Sequence, residues 1–167
     1  MTDRGFSQQR LPFNSPTETG LRALAILTEA FPAAYDLQRL LFFDYVTVHS
    51  ADLAGGPASL HPATPHRSGE ILIKRGLVER GLILYWSRGL IERRFDPQGF
   101  LYAATEQSAS FLDSLTSPYA QELRTRARWV VESLGELSAE ELQEIVGQHL
   151  DQWGAEFEFE SVLDEGQ

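Results

Sequence analysis

The sequence predicts a mainly α-helical fold that carries one small β-hairpin. Three observations predict it. Apolar residues recur at helical spacing in several segments, and most of these follow a residue able to cap a helix. Two short strand-like stretches flank Asp96-Pro97-Gln98-Gly99, a turn with Pro at its second position and Gly at its fourth. Gly76 and Gly81 divide the most apolar basic stretch into pieces of helical length.

Residues 1–14 are polar and read as a flexible N-terminal arm, without the apolar core of a secretory signal. Ser15-Pro16-Thr17-Glu18 opens the first helix, with Ser15 as N-cap and Pro16 at the first helical position. Leu21, Leu24, Leu27, Thr28 and Phe31 continue it, and Pro32 stops it. Asp36 caps a second helix from Leu37 to about His49. Its apolar residues cover most of the circumference, so it is buried on several sides or covered by a partner. Asp44 lies inside this run and reads as a paired polar residue on the one wet face.

The stretch HSADLAGGPASLHPATPHRSGE, His49 to Glu70, holds three of the four histidines and is rich in Pro and Gly. No regular element runs through it, and loops of this length inside a compact domain are functional or disordered. Its proline-restricted backbone favours an ordered connector and contact surface, with His49, His61, Pro62 and Arg67 as candidate partner-binding residues. A metal site on His49, His61 and His66 with Glu70 or Asp52 is the other reading. The spacing matches no familiar ligand pattern, and Pro62 and Pro65 hold the preceding residues extended. No cofactor is expected.

Ser68 can cap a helix from Gly69, and Gly76 suggests two helices, about 69–75 and 77–88, with a turn between them. Gly89 supplies a left-handed C-cap. Strands at 90–95 and 100–104 form the hairpin. Thr105 caps the next helix, with Phe111, Leu112 and Leu115. Ser117-Pro118 starts another, closed by Gly135. Ser138-Ala139-Glu140-Glu141 is a capping box for a last helix carrying Leu142, Ile145, Val146 and Trp153, closed by Gly154. Residues 15–154 then form one helical domain. The acidic tail 155–167 has five acids and no base, and its Phe157 and Phe159 alternate with Glu156, Glu158 and Glu160. Such a strand pattern is disordered or adds to another sheet edge.

Helix, turn, helix and hairpin place a winged helix-turn-helix core at about 69–115, flanked by N- and C-terminal helices. The stretch SRGLIERRFDPQGFLYAATEQSASFL resembles the recognition-helix end and wing of MarR- and PadR-like regulators. That resemblance implies a DNA-binding transcriptional regulator as one reading. The chemistry of 77–88 weighs against base reading, because it offers Leu82, Ile83, Leu84, Tyr85 and Trp86 where a reading helix presents polar donors. Leu82, Tyr85 and Trp86 are instead candidate protein contacts, joined by Phe157 and Phe159. Arg80, Arg88, Arg93 and Arg94 are the possible phosphate contacts, with Arg93 and Arg94 on opposite faces of a wing strand.

Charge patterning agrees with two faces meeting different partners. The net charge is −10, yet residues 67–94 hold seven basic and three acidic residues, leaving −14 on the remainder. There is no cysteine, so disulfides and thiolate chemistry are excluded, which fits a reducing cytoplasm. No stretch approaches the roughly 20 apolar residues of a membrane span. No G-x-S-x-G, Walker A or G-x-G-x-x-G motif is present, and the sequence carries no case for an enzyme.

Over most of its length, about Thr19 to Glu158, the chain resembles the middle components of bacterial ABC-three-component systems. The resemblance is carried by LRALAILTEAFPAAYDLQRLLFFDYVTVHSADLAGGPASLHPATPHRSGE, the wing, and WGAEFEFE. It extends to the small accessory subunit of Lamassu-type antiphage defence. It implies a non-enzymatic bridging subunit that docks a Rad50/SMC-like ABC ATPase, as a dimer, and holds a nuclease-type effector. DNA is then met indirectly, through the complex.

Overall fold

The computed structural model describes residues 15–61 and 70–148, with side chains in the second stretch from residue 74 onward. The N-terminal arm, Pro62, His66, Arg67, the Ser68 cap, the end of the last helix, and Phe157 and Phe159 lie outside the described residues.

The fold is mainly helical with a small three-stranded antiparallel sheet. Helix α1 (Pro16–Ala30) starts as its cap signal predicts, with the Ser15 hydroxyl accepting the Glu18 N–H at 3.2 Å. The two residues that follow its exit loop, Tyr35–Asp36, form strand β1, which the sequence did not announce. Asp36 also caps α2 (Leu37–Val48), its carboxylate accepting the Arg39 N–H at 2.7 Å. Every residue of α2 from Leu40 to Val48 is buried within the chain itself, which accounts for its all-round apolar character. Asp44 is no exception: it sits on a dry face, not a wet one, and is 1% exposed.

Helix α3 runs unbroken from Glu70 to Ser87. The turn expected at Gly76 is absent. A glycine costs a helix only about 1 kcal/mol, and the packing of α3 along α1 outweighs that. Gly89, at φ +75°, then closes α3, with the Leu90 N–H bonded to the Tyr85 carbonyl at 3.0 Å. Strands β2 (Ile91–Asp96) and β3 (Gly99–Ala104) form the hairpin over a two-residue turn, Pro97-Gln98. The sheet order is β1-β3-β2, with Tyr35 opposite Tyr102 and Arg94 opposite Leu101.

The element order α1–β1–α2–loop–α3–β2–β3 is consistent with a winged-helix-like fold, and the unbroken α3 leaves no helix-turn-helix within residues 70–87. The long stretch 49–69 joins α2 to α3. Helices α4 (Ser108–Asp113), α5 (Pro118–Leu134) and α6 (Ala139–Gln148) follow the hairpin. Thr105 does not cap α4. Its hydroxyl donates to the Gly89 carbonyl at 2.7 Å and its N–H to the Leu90 carbonyl, so it ties the hairpin exit to the end of α3, and Leu115 falls beyond the helix. Ser117 and Ser138 do cap α5 and α6. Helix α1 is the centre of the core, packed on both α3 and α5, with Leu24, Ile26 and Leu27 wholly buried.

Candidate functional site

The last turn of α3 and the hairpin carry most of the exposed large apolar side chains among the described residues. Strand alternation explains how. Ile91, Arg93 and Phe95 share one face of β2, and their cross-strand partners Ala104, Tyr102 and Phe100 share it too. At its base this face is core, since Ile91 is 1% exposed. Towards the turn the same face is open to solvent, with Phe95 80% and Phe100 46% exposed.

Trp86 and Ile83, one turn apart on α3, extend this surface and are half-exposed. Arg93 joins the two elements. Its guanidinium lies 4.3 Å from the centroid of Trp86 and 4.3 Å from that of Phe100. Phe100 in turn meets Phe95 edge-on at 5.8 Å. The result is a continuous strip, Trp86–Arg93–Phe100–Phe95, which is cationic at its centre and aromatic on both sides. Arg94 points to the opposite face, where it is paired with Glu92 at 2.5 Å.

The candidate residues therefore separate. Leu82 and Tyr85, expected as partner contacts, belong to the core at 0% and 4% exposure, and the Tyr85 hydroxyl donates to the Thr17 carbonyl at 3.0 Å. Helical spacing turns both of them inward against α1 and leaves Trp86 outside. Arg80 and Arg88 are exposed on and just after α3, and Arg80 donates to the Gly76 carbonyl. Sequence reasoning passed over Phe95, Phe100 and Ile83. The signal for the first two was present, because aromatic residues flanking a two-residue turn stand directly opposite one another and share a face with Arg93.

The described part of the connecting loop, His49–His61, is anchored inward. The Leu60 and His61 N–H groups both donate to the Val48 carbonyl at 3.0 Å, closing the loop on the end of α2. The Ser50 hydroxyl donates to the Pro57 carbonyl, Tyr45 to the Asp52 carboxylate, and Arg126 of α5 to the Ala58 carbonyl. Gly56 passes so close to the Ser50 carbonyl oxygen that a Cβ would sit 1.9 Å from it. His49 and His61 are both partly buried.

Beneath the loop lies a buried ion cluster. Arg22 of α1 grips Asp44 of α2 through Nε–Oδ1 at 2.5 Å and a second nitrogen to Oδ2 at 3.3 Å. Lys74 of α3 stands 3.7 Å from the same carboxylate. Burial pushes the Asp44 carboxyl up, and the Arg22 and Lys74 charges outweigh it, so Asp44 titrates below its ordinary value. His61 Nε2 meets the Tyr119 hydroxyl of α5 at 2.9 Å, with the two rings stacked. Burial, then the Arg22 and His49 charges, lower the His61 pKa to about 4, so its imidazole is neutral at pH 7. The cluster ties four helices and the loop together.

The family model described as MC2, ABC-three component (ABC-3C) system Middle Component 2, matches residues 12–156. No curated protein and no solved structure matches the chain.

Proposed function

The chain belongs to the Middle Component 2 family of ABC-three component systems, and we propose that it is a non-enzymatic bridging subunit whose α3–wing strip docks a partner protein of its system. A middle component of a multi-component system works with partner proteins. The observation that supports this strip as the docking face is its composition. A DNA-reading helix and wing would present polar donors to base edges, whereas here Trp86, Phe95, Phe100 and Ile83 are exposed around one stacked arginine. Contiguous aromatic surface with an arginine at its centre is the composition of an interface hot spot.

The partner on this reading is the ABC ATPase, of the Rad50/SMC type, as a dimer, with a nuclease-type effector held on another surface and DNA met through the complex. The role belongs to the antiphage defence of a bacterial cytoplasm, in systems of the Lamassu kind. Among the described residues no helix is long and apolar enough to cross a membrane, and the reading needs none.

Co-expression with the ATPase and effector of the same system tests it. The wild-type chain should co-elute with the ATPase in size-exclusion chromatography, and Trp86→Ser/Phe95→Ser/Phe100→Ser should not. A variant that folds and still co-elutes would remove the strip as the docking face. A wild-type chain that ignores the ATPase would remove the bridging role.

A further inference from the structure

We propose that the Trp86–Arg93–Phe100–Phe95 strip is covered, in the free chain, by the chain's own acidic-aromatic segment Glu156–Glu160. The proposal rests on reading the strip as a docking face, and it adds a built-in competitor for that face. Four observations carry it.

The first is chemical complementarity. The strip is cationic and aromatic, with Arg93 stacked between Trp86 and Phe100 and Phe95 beyond them, and Arg80 and Arg88 are exposed elsewhere on and just after α3. The sequence EFEFE is the complement: two rings for the aromatic side chains and three carboxylates for the guanidinium groups. It lies in the tail 155–167, which holds five acids and no base.

The second is reach. Helix α6 places Leu142 and Val146 in a shared pocket with Asp36 and Arg39. Asp36 pairs with Leu101, and Leu101 pairs with Arg94. Neighbouring strands lie about 4.8 Å apart, so the Asp36 backbone stands about 10 Å from that of Arg94 on β2, from where the segment need only round the sheet edge to reach the face that carries the strip. The nine residues from Gln148 to Phe157 span up to about 30 Å when extended. Phe157 and Phe159 can therefore arrive at the wing of their own chain.

The third is an open edge. Among the described residues β2 pairs only with β3, and it is the last strand on its side of the sheet. An uncovered edge beside exposed aromatic rings invites an added extended segment.

The fourth concerns the competing occupant. A second copy docked strip to strip would set Arg93 against its own counterpart, which like-charge repulsion opposes. An acidic segment has no such conflict.

The chain has no cysteine, so a single engineered pair reports the contact. Gln98 lies in the hairpin turn and Ser161 directly after the acidic run, and neither belongs to the strip. Gln98→Cys/Ser161→Cys, in the full chain at low micromolar concentration under a mild oxidant, should form an intramolecular disulfide. The rate should fall about tenfold, the loss of a local effective concentration, when Phe157→Ser/Phe159→Ser is added. It should fall likewise with Trp86→Ser/Phe100→Ser, a variant first checked for its helical circular dichroism. An unchanged rate in both variants would overturn the proposal. Disulfide-linked dimers as the main product would also overturn it, since they place the segment on a second copy. The measurement uses the chain alone, so its failure leaves the ATPase co-elution result, and hence the docking reading, standing or falling separately.

Discussion

Gly20 and Gly81 meet backbone to backbone where α1 crosses α3. A Cβ on Gly81 would stand 2.6 Å from the Gly20 nitrogen and 2.8 Å from the Pro16 carbonyl oxygen, and one on Gly20 would enter the Tyr85 ring. Gly81 is thus a contact residue in an unbroken helix. This close crossing seats Tyr85 in the core and, one residue on, leaves Trp86 outside.

The two glycines of α3 should therefore respond oppositely to alanine. At Gly76 a Cβ would meet, among the described residues, only the end of the flexible Arg80 side chain, at 3.6 Å. Gly76→Ala should stabilise the chain by about 0.5–1 kcal/mol, the helix-propensity difference. Gly81→Ala must push two backbones apart and should cost about 2 kcal/mol or more. Urea denaturation of the two variants checks both signs. Destabilisation by Gly76→Ala would mean that the chain does need a break at that position.

The His61 imidazole makes stability depend on pH. Its folded pKa of about 4 lies below the ordinary value of 6.5, so between those values the unfolded chain binds the extra proton. Stability is then complete above pH 6.5 and declines as pH falls towards 4. The groups facing it are Arg22 from α1, Asp44 from α2, His49 at the α2 C-cap, Lys74 from α3 and Tyr119 from α5. The decline from this group should be on the order of 2 kcal/mol, after discounting the part of the ring that water reaches. His61→Gln, which keeps a donor towards Tyr119 without titrating, should flatten that stretch of a stability–pH curve. An equal slope in wild type and variant would assign the effect elsewhere.

The Arg22–Asp44 pair should be costly to break and cheap to replace. Each charge is nearly inaccessible to water, at 4% and 2% side-chain exposure. Asp44→Ala strands a buried guanidinium and should cost about 3–5 kcal/mol. Arg22→Met/Asp44→Leu removes both charges at similar volume, and Lys74, still 27% exposed, can turn to water. The double variant should be more stable than either single one, a coupling that a double-mutant cycle in urea measures. Additive losses would show that the two charges act independently.

Local signals read correctly where the chain decides its structure locally. Ser15, Asp36, Ser117 and Ser138 all cap the helices their spacing predicts, and Gly89 takes the left-handed C-cap. The hairpin turn at Pro97-Gln98 was equally legible. What failed was every inference that needed a partner from far along the chain. Gly81 looked like an interruption because its reason for being glycine is Gly20, some sixty residues earlier. Strand β1 has two residues and exists only because β3 pairs with it. Asp44 looked wet because Arg22 and Lys74 could not be placed beside it. The strip was half visible: Trp86 and Arg93 stood out by type, but Phe95 and Phe100 read as ordinary strand residues. Only the exposure gradient from Ile91 to Phe95 in the folded chain shows that their face leaves the core.

That last point makes a direct comparison possible along one face of β2. Ile91 and Phe95 lie on the same side of the same strand, four residues apart, at 1% and 80% exposure. If the face changes from core to docking surface between them, their substitutions must separate stability from assembly. Ile91→Ala deletes buried methyl groups and should cost about 2–4 kcal/mol, with assembly lost only in proportion to unfolding. Phe95→Ser removes almost no buried area in the free chain and should shift stability by no more than about 0.5 kcal/mol. It should nevertheless weaken co-elution with the ATPase, because exposed aromatic anchors supply much of the binding energy of a docking face. Thermal unfolding of the free chain and chromatography of the complex read the two effects independently. A Phe95→Ser chain that loses as much stability as Ile91→Ala would place Phe95 in the core and take the hairpin tip out of the docking face.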